Sequence, residues 1–345
     1  MMECDKNALF VVVVVCGCLC GSSLGKDART ERVIFENGSL KLLGDLLIPS
    51  GSGPHPAVVI VHGSGGSDRN GPGGYYRLTA EHFQAHGFVV LTFDKRGVGD
   101  SDGDWRTASF ETLASDAAAG FKFLRLRPEV DTQKVGLWGI SQAGWVMPLV
   151  ANAVDKAAFI VVVSGAGTGT TPGEQNLYDI GNQARALGLS DRNTKVVLTA
   201  WRELYTSVRL DQHADHSALD QVVTDARNAS IPGQLIPPSS KRIRWKTRDQ
   251  WFLALDVDYD AIPDWKQVRC PVLAIYGNAD ESTPVDLVAK RFRKEVMNLA
   301  RHDEVVIIDG GSHTLLQGPI GATAFSDAYL ASMDSWLSRI LRGQR

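Results

Sequence analysis

The residues best suited to covalent chemistry lie in a short glycine-rich string, GISQAG, at residues 139–144. The string follows an apolar run at residues 134–138 that predicts a buried strand, and it precedes apolar residues at helical spacing over residues 143–154. A serine in a sharp turn between a strand and a helix stands above the edge of the sheet, where its hydroxyl can attack a bound carbonyl group. We therefore predict Ser141 as a nucleophile, beside helix N–H groups that favour negative charge.

A serine nucleophile needs a base, and the base needs an acid that orients it. Of the eight histidines, only His313 follows directly on a predicted buried strand, residues 304–308, in a glycine-rich loop. Asp280 ends the preceding predicted strand in the same way, and Glu281 and Asp309 are the fallback acids. Because ligands bind outside the carboxyl ends of strands in such sheets, we expect these side chains to share one edge.

The string around Ser141 resembles the nucleophile elbow, G-x-S-x-G, of the α/β-hydrolase family in its strand–turn–helix context. The order Ser141, Asp280, His313 is also the order of nucleophile, acid and base in that family, and the resemblance spans nearly all of the chain after residue 25. Ala143 stands where the motif has its last glycine, and Gly144 follows one residue later. The resemblance extends to esterases, to serine aminopeptidases and to the catalytic domain of prolyl oligopeptidases.

Two further strings resemble loops of the same family. Residues 61–66, VHGSGG, resemble its His-Gly oxyanion loop, which implies that the backbone N–H groups of Ser64 and Gln142 hold the oxyanion. Residues 93–101, FDKRGVGDS, resemble its D-x-R-G-x-G-x-S loop. The role of that loop in the family is mostly structural, so neither Asp94 nor Arg96 is predicted to be catalytic.

Strand-like and helix-like segments alternate along most of the chain, which predicts an α/β protein: an α/β-hydrolase fold with a mostly parallel central sheet and helices on both faces. The alternation breaks over residues 170–263, which read as a polar, mostly helical cap inserted in the fold. The predicted division is a signal peptide at 1–25, hydrolase core at 26–169 and 264–345, and the cap or lid between them.

The cap should set the substrate. We predict Trp145, Trp245 and Trp251 as substrate-binding residues, with packing of the cap onto the core as the alternative for the cap tryptophans. Residues 241–248 hold five basic side chains, which form either a solvated face or a dock for an anionic acyl group or a coenzyme A tail.

The first 25 residues predict export, to the periplasm or out of the cell. An apolar run at residues 8–15 is too short to span a bilayer and suits a signal peptide. A second interpretation is a degenerate lipoprotein signal, in which Cys18 carries a lipid and provides the only membrane attachment. In either case Cys270 alone would remain, and we predict it to be a buried small hydrophobe rather than part of a disulfide.

Composition and missing motifs narrow the function. The net charge of −3 argues against nucleic-acid binding. The sequence lacks H-E-x-x-H, a Walker loop and a dinucleotide-binding G-x-G-x-x-G, so no metal and no cofactor is predicted. A serine nucleophile also separates the chain from haloalkane dehalogenases and epoxide hydrolases, which use aspartate, and from dienelactone hydrolases, which use cysteine.

The predicted activity is therefore hydrolysis of carboxylic esters with small or medium acyl chains, through an acyl-enzyme intermediate. The alternatives are a serine peptidase, an acyl-CoA thioesterase and a non-catalytic binding protein on the same fold. The predicted partner is a small-molecule ester or a peptide substrate, and the sequence makes no prediction of oligomeric state.

Overall fold

The computed structural model describes residues 27–210, 212–243 and 256–342. The predicted leader with Cys18 lies outside these residues, as do Trp245, Trp251 and most of the basic run. Within the described ranges, no helix combines the length and the apolar character that crossing a membrane requires.

One eight-stranded sheet organises the described chain. Its strands are β1 (Arg29–Asn37), β2 (Leu40–Ile48), β3 (His55–Val61), β4 (Val89–Phe93), β5 (Val130–Ile140), β6 (Ile160–Val163), β7 (Val272–Gly277) and β8 (Glu304–Ile308). They lie in the order β1-β2-β4-β3-β5-β6-β7-β8. The β1–β2 hairpin turns at Gly38 with a positive φ of 62°, and β2 pairs antiparallel with β4. All remaining pairings are parallel.

Helices cover both faces of the sheet. They are α1 (Tyr75–Ala85), α2 (Phe110–Arg125), α3 (Ala143–Ala153), α4 (Pro172–Ala186), α5 (Asp191–Val208), α6 (Ser217–Asn228), α7 (Ile262–Trp265), α8 (Val285–Glu295) and α9 (Asp327–Arg342). Apolar residues of α2, α3 and α8 pack on one face, and those of α1 and α9 pack on the other. Because both faces are covered, the central strands are mostly apolar, and every residue of β4 and β6 is buried. The predicted fold class is confirmed.

Helices α4, α5 and α6 lie in the connection between β6 and β7, within the segment predicted to be a cap. A capping box at Thr171 and Glu174 starts α4 by satisfying N–H groups of its first turn. The apolar stripes of the three helices pack into two small clusters of their own, apart from the two faces of the sheet. The connection is thus a local helical unit attached to the sheet at both ends.

Two helices are shorter than the helical spacing of apolar residues in the sequence indicates, since that spacing runs over residues 285–299 and 322–341. Helix α8 ends at Glu295, since the N–H of Met297 bonds five residues back, to the carbonyl of Phe292, in place of the i−4 bond that would continue the helix. The last helix begins only at Asp327, because Phe325 forms an isolated antiparallel bridge with Leu316. In both cases the backbone forms hydrogen bonds other than those of a continuing helix.

Candidate active site

Ser141 occupies a strained turn between β5 and α3. Its φ is 57°, in the left-handed region that residues other than glycine seldom adopt. Its N–H donates to the carbonyl of Val163 on the neighbouring strand at 2.9 Å, and its own carbonyl accepts from Gly144 N–H at 2.9 Å. This backbone conformation costs about 1–3 kcal/mol, and it persists only where the surrounding structure enforces it. The two hydrogen bonds provide that support. The turn leaves the side chain partly exposed at the carboxyl edge of the sheet.

The glycines around the turn explain why alanine is tolerated at position 143. A methyl group on Gly139 would lie 2.5 Å from the Cβ of Ala143, so only a residue without a side chain fits opposite that methyl. A Cβ on Gly144 would lie 2.9 Å from the backbone of Gly165. Gly144 therefore provides the close helix-to-loop packing, one position later than in the motif.

His313 and Asp280 are brought together as predicted from their positions after β8 and β7. His313 Nδ1 lies 2.8 Å from Asp280 Oδ2. The other carboxylate oxygen accepts from the N–H groups of Ser282, at 2.8 Å, and Thr283, at 2.9 Å. Asp280 is only 5% exposed. A carboxylate held in this way fixes the tautomer with the proton on Nδ1, which leaves Nε2 of His313 free to accept one.

The fallback acids lie elsewhere. The Asp309 carboxylate accepts from the side-chain amide of Asn278 at 2.8 Å, and Glu281 is exposed. Within the described residues, no hydrogen bond joins Ser141 Oγ to His313 Nε2. Nucleophile–base contacts of ligand-free enzymes are commonly loose and tighten when substrate binds.

The predicted oxyanion loop follows β3 and faces the start of α3. The N–H of Gly63 donates to the hydroxyl of Tyr76 at 2.7 Å and is therefore occupied. The N–H groups of Ser64 and Gln142 have no acceptor among the residues that the structure describes. Gly65 has a φ of 80°, which lets the loop turn sharply after Ser64. Within the described chain, the two N–H groups that the sequence analysis assigned to an oxyanion hole are thus unoccupied.

Lys95 is a site residue that the sequence analysis missed. It follows β4, is 3% exposed, and donates from Nζ to Gly63 O at 2.8 Å, Gly65 O at 2.8 Å and Gln142 Oε1 at 3.0 Å. Burial lowers its pKa from 10.5 to about 7. The signal in the sequence was a lysine directly after a predicted buried strand, with nothing to show that the loop after β3 would lie beside it.

His62, which precedes the oxyanion loop, is a buried neutral imidazole. Its Nε2 lies 2.6 Å from the carbonyl of Phe93, an acceptor, so this nitrogen carries the proton. Burial, together with the nearby charge of Lys95, lowers the pKa of His62 to about 3. His62 therefore acts as a fixed link between β3 and β4, and not as a base.

The two charged residues of the D-x-R-G-x-G-x-S string that flank Lys95 form internal ion pairs. The buried carboxylate of Asp94 accepts from the guanidinium of Arg69 at 2.6 Å and from its backbone N–H at 2.8 Å. Arg96 donates twice to Asp116 at 2.7 Å. Both ion pairs hold the loop at residues 93–101 in place, which agrees with a structural role for Asp94 and Arg96.

Trp145 does not line an accessible site. It is 1% exposed, stacks against Phe110 at a ring distance of 5.7 Å, and donates its indole N–H to the carbonyl of Thr170. The prediction that Trp145 contacts substrate is wrong for this structure, because α3 is apolar on nearly every side and is sunk in the core. Trp245 and Trp251 lie outside the described residues and stay predictions.

Helix α4 touches the loop that carries Asp280. The side-chain amide of Gln175 donates to Ser282 O at 2.8 Å, and that of Asn182 donates to Glu281 O at 2.7 Å. The hydroxyl of Ser282 donates to Asp179 at 3.2 Å. Burial, with a smaller contribution from the charge of Asp280, raises the pKa of Asp179. The helical unit is therefore in direct contact with the part of the site formed by Asp280 and His313, which we call the base side.

A group with the spacing of metal ligands occurs at another place in the described chain. His82 and His86 of α1 and Asp334 of α9 have ligand atoms within 4.8 Å of one another. His82 and Asp334 already bond directly at 2.9 Å, which joins the two helices on one face of the sheet. None of these residues belongs to the site around Ser141.

The fold and this site define an α/β hydrolase. Residues 58–324 match the model of the alpha/beta hydrolase family, and the chain belongs to that family. An uncharacterized 31.7 kDa protein of Escherichia coli, from the traX-finO intergenic region, is 32% identical over 244 residues, which is 69% of this chain and 77% of that protein.

Two curated relatives carry names of activities. Esterase EstD of Thermotoga maritima is 31% identical over 167 residues, 48% of this chain and 38% of EstD. Thiohydrolase aneE of Aspergillus aculeatus is 35% identical over 121 residues, 35% of this chain and 34% of aneE. The chain thus spans less than half the length of several curated relatives that it matches. Family membership and these names support hydrolase activity.

Solved structures show the same fold at low sequence identity. Esterase Pf2001 of Pyrococcus furiosus superposes with a TM-score of 0.56 at 17% identity, over 90% of this chain and 91% of that one. A dienelactone hydrolase of Anabaena variabilis superposes with a TM-score of 0.53 at 19% identity, over 91% of this chain and 99% of that one.

Proposed function

We propose that this chain is a serine esterase that hydrolyses carboxylic esters with small or medium acyl chains. The observation that carries the proposal is the combination of a strained strand-to-helix serine, Ser141, with a hydrogen-bonded pair, buried Asp280 and partly exposed His313, after two neighbouring strands. The strained turn presents the partly exposed hydroxyl of Ser141 at the edge of the sheet, and an oriented imidazole is the base that activates such a hydroxyl for acyl transfer.

The proposed reaction begins with attack of Ser141 Oγ on the ester carbonyl while Nε2 of His313 takes the hydroxyl proton. Asp280 keeps the imidazole in the required tautomer and stabilises its positive charge. The N–H groups of Ser64 and Gln142 bind the oxyanion of the tetrahedral intermediate. His313 returns the proton to the leaving alcohol, and a water molecule activated by the same imidazole then releases the acid from Ser141.

We further propose that the helical segment at residues 170–263 acts as a lid over this site. The support is the contact of α4 with the loop after β7, through Gln175 and Asn182. A lid excludes water from the acyl-transfer step and limits the size of the acyl group that enters.

Thioester hydrolysis is a second candidate, and the relative named thiohydrolase aneE favours it. The same residues would perform it, since the tetrahedral intermediate has the same oxyanion. The difference lies in the leaving group: a thiolate departs without a proton from His313, whereas an alkoxide needs that proton.

The test begins with a fluorophosphonate probe, which reacts with activated serines. We expect peptide mapping of the purified chain to find the label on Ser141, and we expect Ser141→Ala to lose labelling and ester turnover while its thermal unfolding is unchanged. Ser164→Ala is the matched control. Ser164 likewise follows a strand and has a positive φ of 47°, but its side chain is fully buried. Activity of Ser141→Ala above about a tenth of wild type would contradict the assignment.

A substrate panel then separates the candidates. p-Nitrophenyl esters of increasing acyl length are compared with the matching acyl thioesters and with aminoacyl anilides. Preference for esters supports the proposal, preference for thioesters moves the chain to the thiohydrolases, and anilide cleavage makes it a peptidase. Absence of both labelling and turnover would favour a binding protein on this fold.

A further inference from the structure

Lys95 is a buried amine whose ammonium form has no carboxylate partner among the described residues. Its ammonium lies inside the protein with three oxygen acceptors for its three N–H donors: two backbone carbonyls and one amide side chain. Among the described residues it forms no ion pair. Placing an unpaired charge in the interior is costly, so the position calls for an explanation beyond packing.

The first acceptor lies in the peptide unit that carries a predicted oxyanion donor. The carbonyl of Gly63 and the N–H of Ser64 belong to one planar trans peptide, and they point in opposite directions. An ammonium bonded to that carbonyl therefore fixes the direction of the Ser64 N–H on the far side. It also withdraws electron density through the amide, which makes the N–H a stronger donor.

The other two acceptors, Gly65 O and Gln142 Oε1, connect Lys95 to both segments that carry the proposed oxyanion donors. The bond to Gly65 O fixes the turn immediately after Ser64. The bond to Gln142 Oε1 anchors the residue whose backbone N–H is the second predicted donor. One side chain on the loop after β4 thus bonds to the loop after β3 and to the start of α3.

We propose that Lys95 is a positioning residue of the oxyanion hole, which holds the Ser64 and Gln142 donors in place and places a positive charge behind them. This inference rests on the proposed function, since it needs an oxyanion at those donors. It acts on charge that develops in the transition state, so its removal should lower kcat with little change in KM. Losing one oxyanion donor typically costs about 10²–10³ in rate, and we expect a kcat loss of about 10² for a residue that acts through both donors.

The test is Lys95→Met, which keeps the length of the side chain and removes its charge and donors. kcat and KM are measured with the best p-nitrophenyl ester, per Ser141 site counted by fluorophosphonate labelling, at a pH below the pKa of Lys95. Affinity for a trifluoromethyl ketone, whose serine adduct carries an oxyanion, is measured alongside. Lys122→Met, which removes an exposed lysine of α2, is the control.

We expect Lys95→Met to lose about 10² in kcat and to lose inhibitor affinity in parallel, with KM within about threefold of wild type. Lys95→Gln, which keeps an amide donor for part of the network, should lie between Met and wild type. It also serves as the test variant if Lys95→Met does not fold. A per-site kcat within about threefold of wild type, or a kcat loss with unchanged inhibitor affinity, would overturn the proposal. Failure of the wild-type chain to turn over any acyl substrate would instead overturn the proposed function.

Discussion

The two sides of Ser141 are built from different parts of the chain and are held in different ways. On one side, which we call the oxyanion side after the proposed oxyanion hole, the buried groups Lys95 and Tyr76 join the loops after β3 and β4 and the start of α3. On the base side, Asp280 and His313 stand on the loops after β7 and β8, and the first of these loops is bonded to α4 of the helical insertion.

This difference indicates how a hydrolase of this design divides its tasks. The oxyanion side is complete within the sheet and its adjacent loops, so its geometry is set by folding. The base side shares hydrogen bonds with the insertion, so a shift of α4 on substrate binding would reach Asp280 through Ser282. Substitutions on the two sides should therefore differ in the size and kind of their effects.

The largest effect is expected from Asp280→Asn on the base side. The amide can no longer hold the imidazole with its proton on Nδ1, so His313 loses the free Nε2 that accepts the proton of Ser141. In serine proteases the equivalent change lowers kcat by about 10⁴ with the geometry intact, and we expect a loss of that order. The measurement is kcat of the ester reaction beside a thermal unfolding curve.

Asp309→Asn is the matched control, because Asp309 also follows a strand at this edge but is exposed and bonds only to Asn278 among the described residues. Its kcat should stay within about threefold of wild type. If Asp309→Asn carried the large loss and Asp280→Asn did not, the acid would be misassigned.

A smaller effect is expected on the oxyanion side from Tyr76→Phe. The buried N–H of Gly63 loses the Tyr76 hydroxyl, its one acceptor among the described residues, and an unsatisfied buried donor costs about 1–3 kcal/mol. Urea unfolding should report that loss of stability, and kcat should fall because the loop carrying Ser64 is less well held. Tyr178→Phe, on an exposed tyrosine of α4, should change stability by less than about 0.5 kcal/mol. Equal stability of Tyr76→Phe and wild type would show that the loop does not depend on this bond.

The sequence was sufficient for the sheet and for the base side of the site. Strands buried on both faces appear as unbroken apolar runs, and strand ends in a parallel sheet meet at one edge, which places Ser141, Asp280 and His313 at the same edge without any knowledge of loops. Their catalytic roles stay predictions. Trp145 was misjudged because a helix buried on nearly all sides gives no sign of which side faces a ligand.

Lys95 could not be found in this way because its partners are distant in the chain and come together through strand order. β4 lies beside β3, and β3 lies beside β5, so the loops after these three strands converge. A sequence shows that three strands exist, but not which are neighbours. A lysine after a strand is ordinarily solvated, and only the converging carbonyls of Gly63 and Gly65 turn Lys95 into an internal donor.

The smallest effect is expected from Asp179→Asn, at the contact between α4 and the base side. Burial raises the pKa of Asp179, so the folded protein holds this proton more tightly than the unfolded chain does. As the pH rises through the interval between the two pKa values, the folded state becomes less stable relative to the unfolded one, and at neutral pH it carries the full cost. The uncharged amide removes that cost. The variant should therefore melt about 1–2 °C higher at neutral pH.

The gain should disappear at pH values below the ordinary carboxyl range, where Asp179 is protonated in both states. Glu281→Gln, on the exposed carboxylate of the adjoining loop, should leave the melting temperature unchanged at every pH. A stabilisation of Asp179→Asn that is independent of pH would mean that shape rather than charge matters at this contact. If kcat of Asp179→Asn fell while its stability rose, the charge of Asp179 would support the Asp280–His313 pair at a cost in stability. The helical insertion would then have a catalytic role on the base side of Ser141.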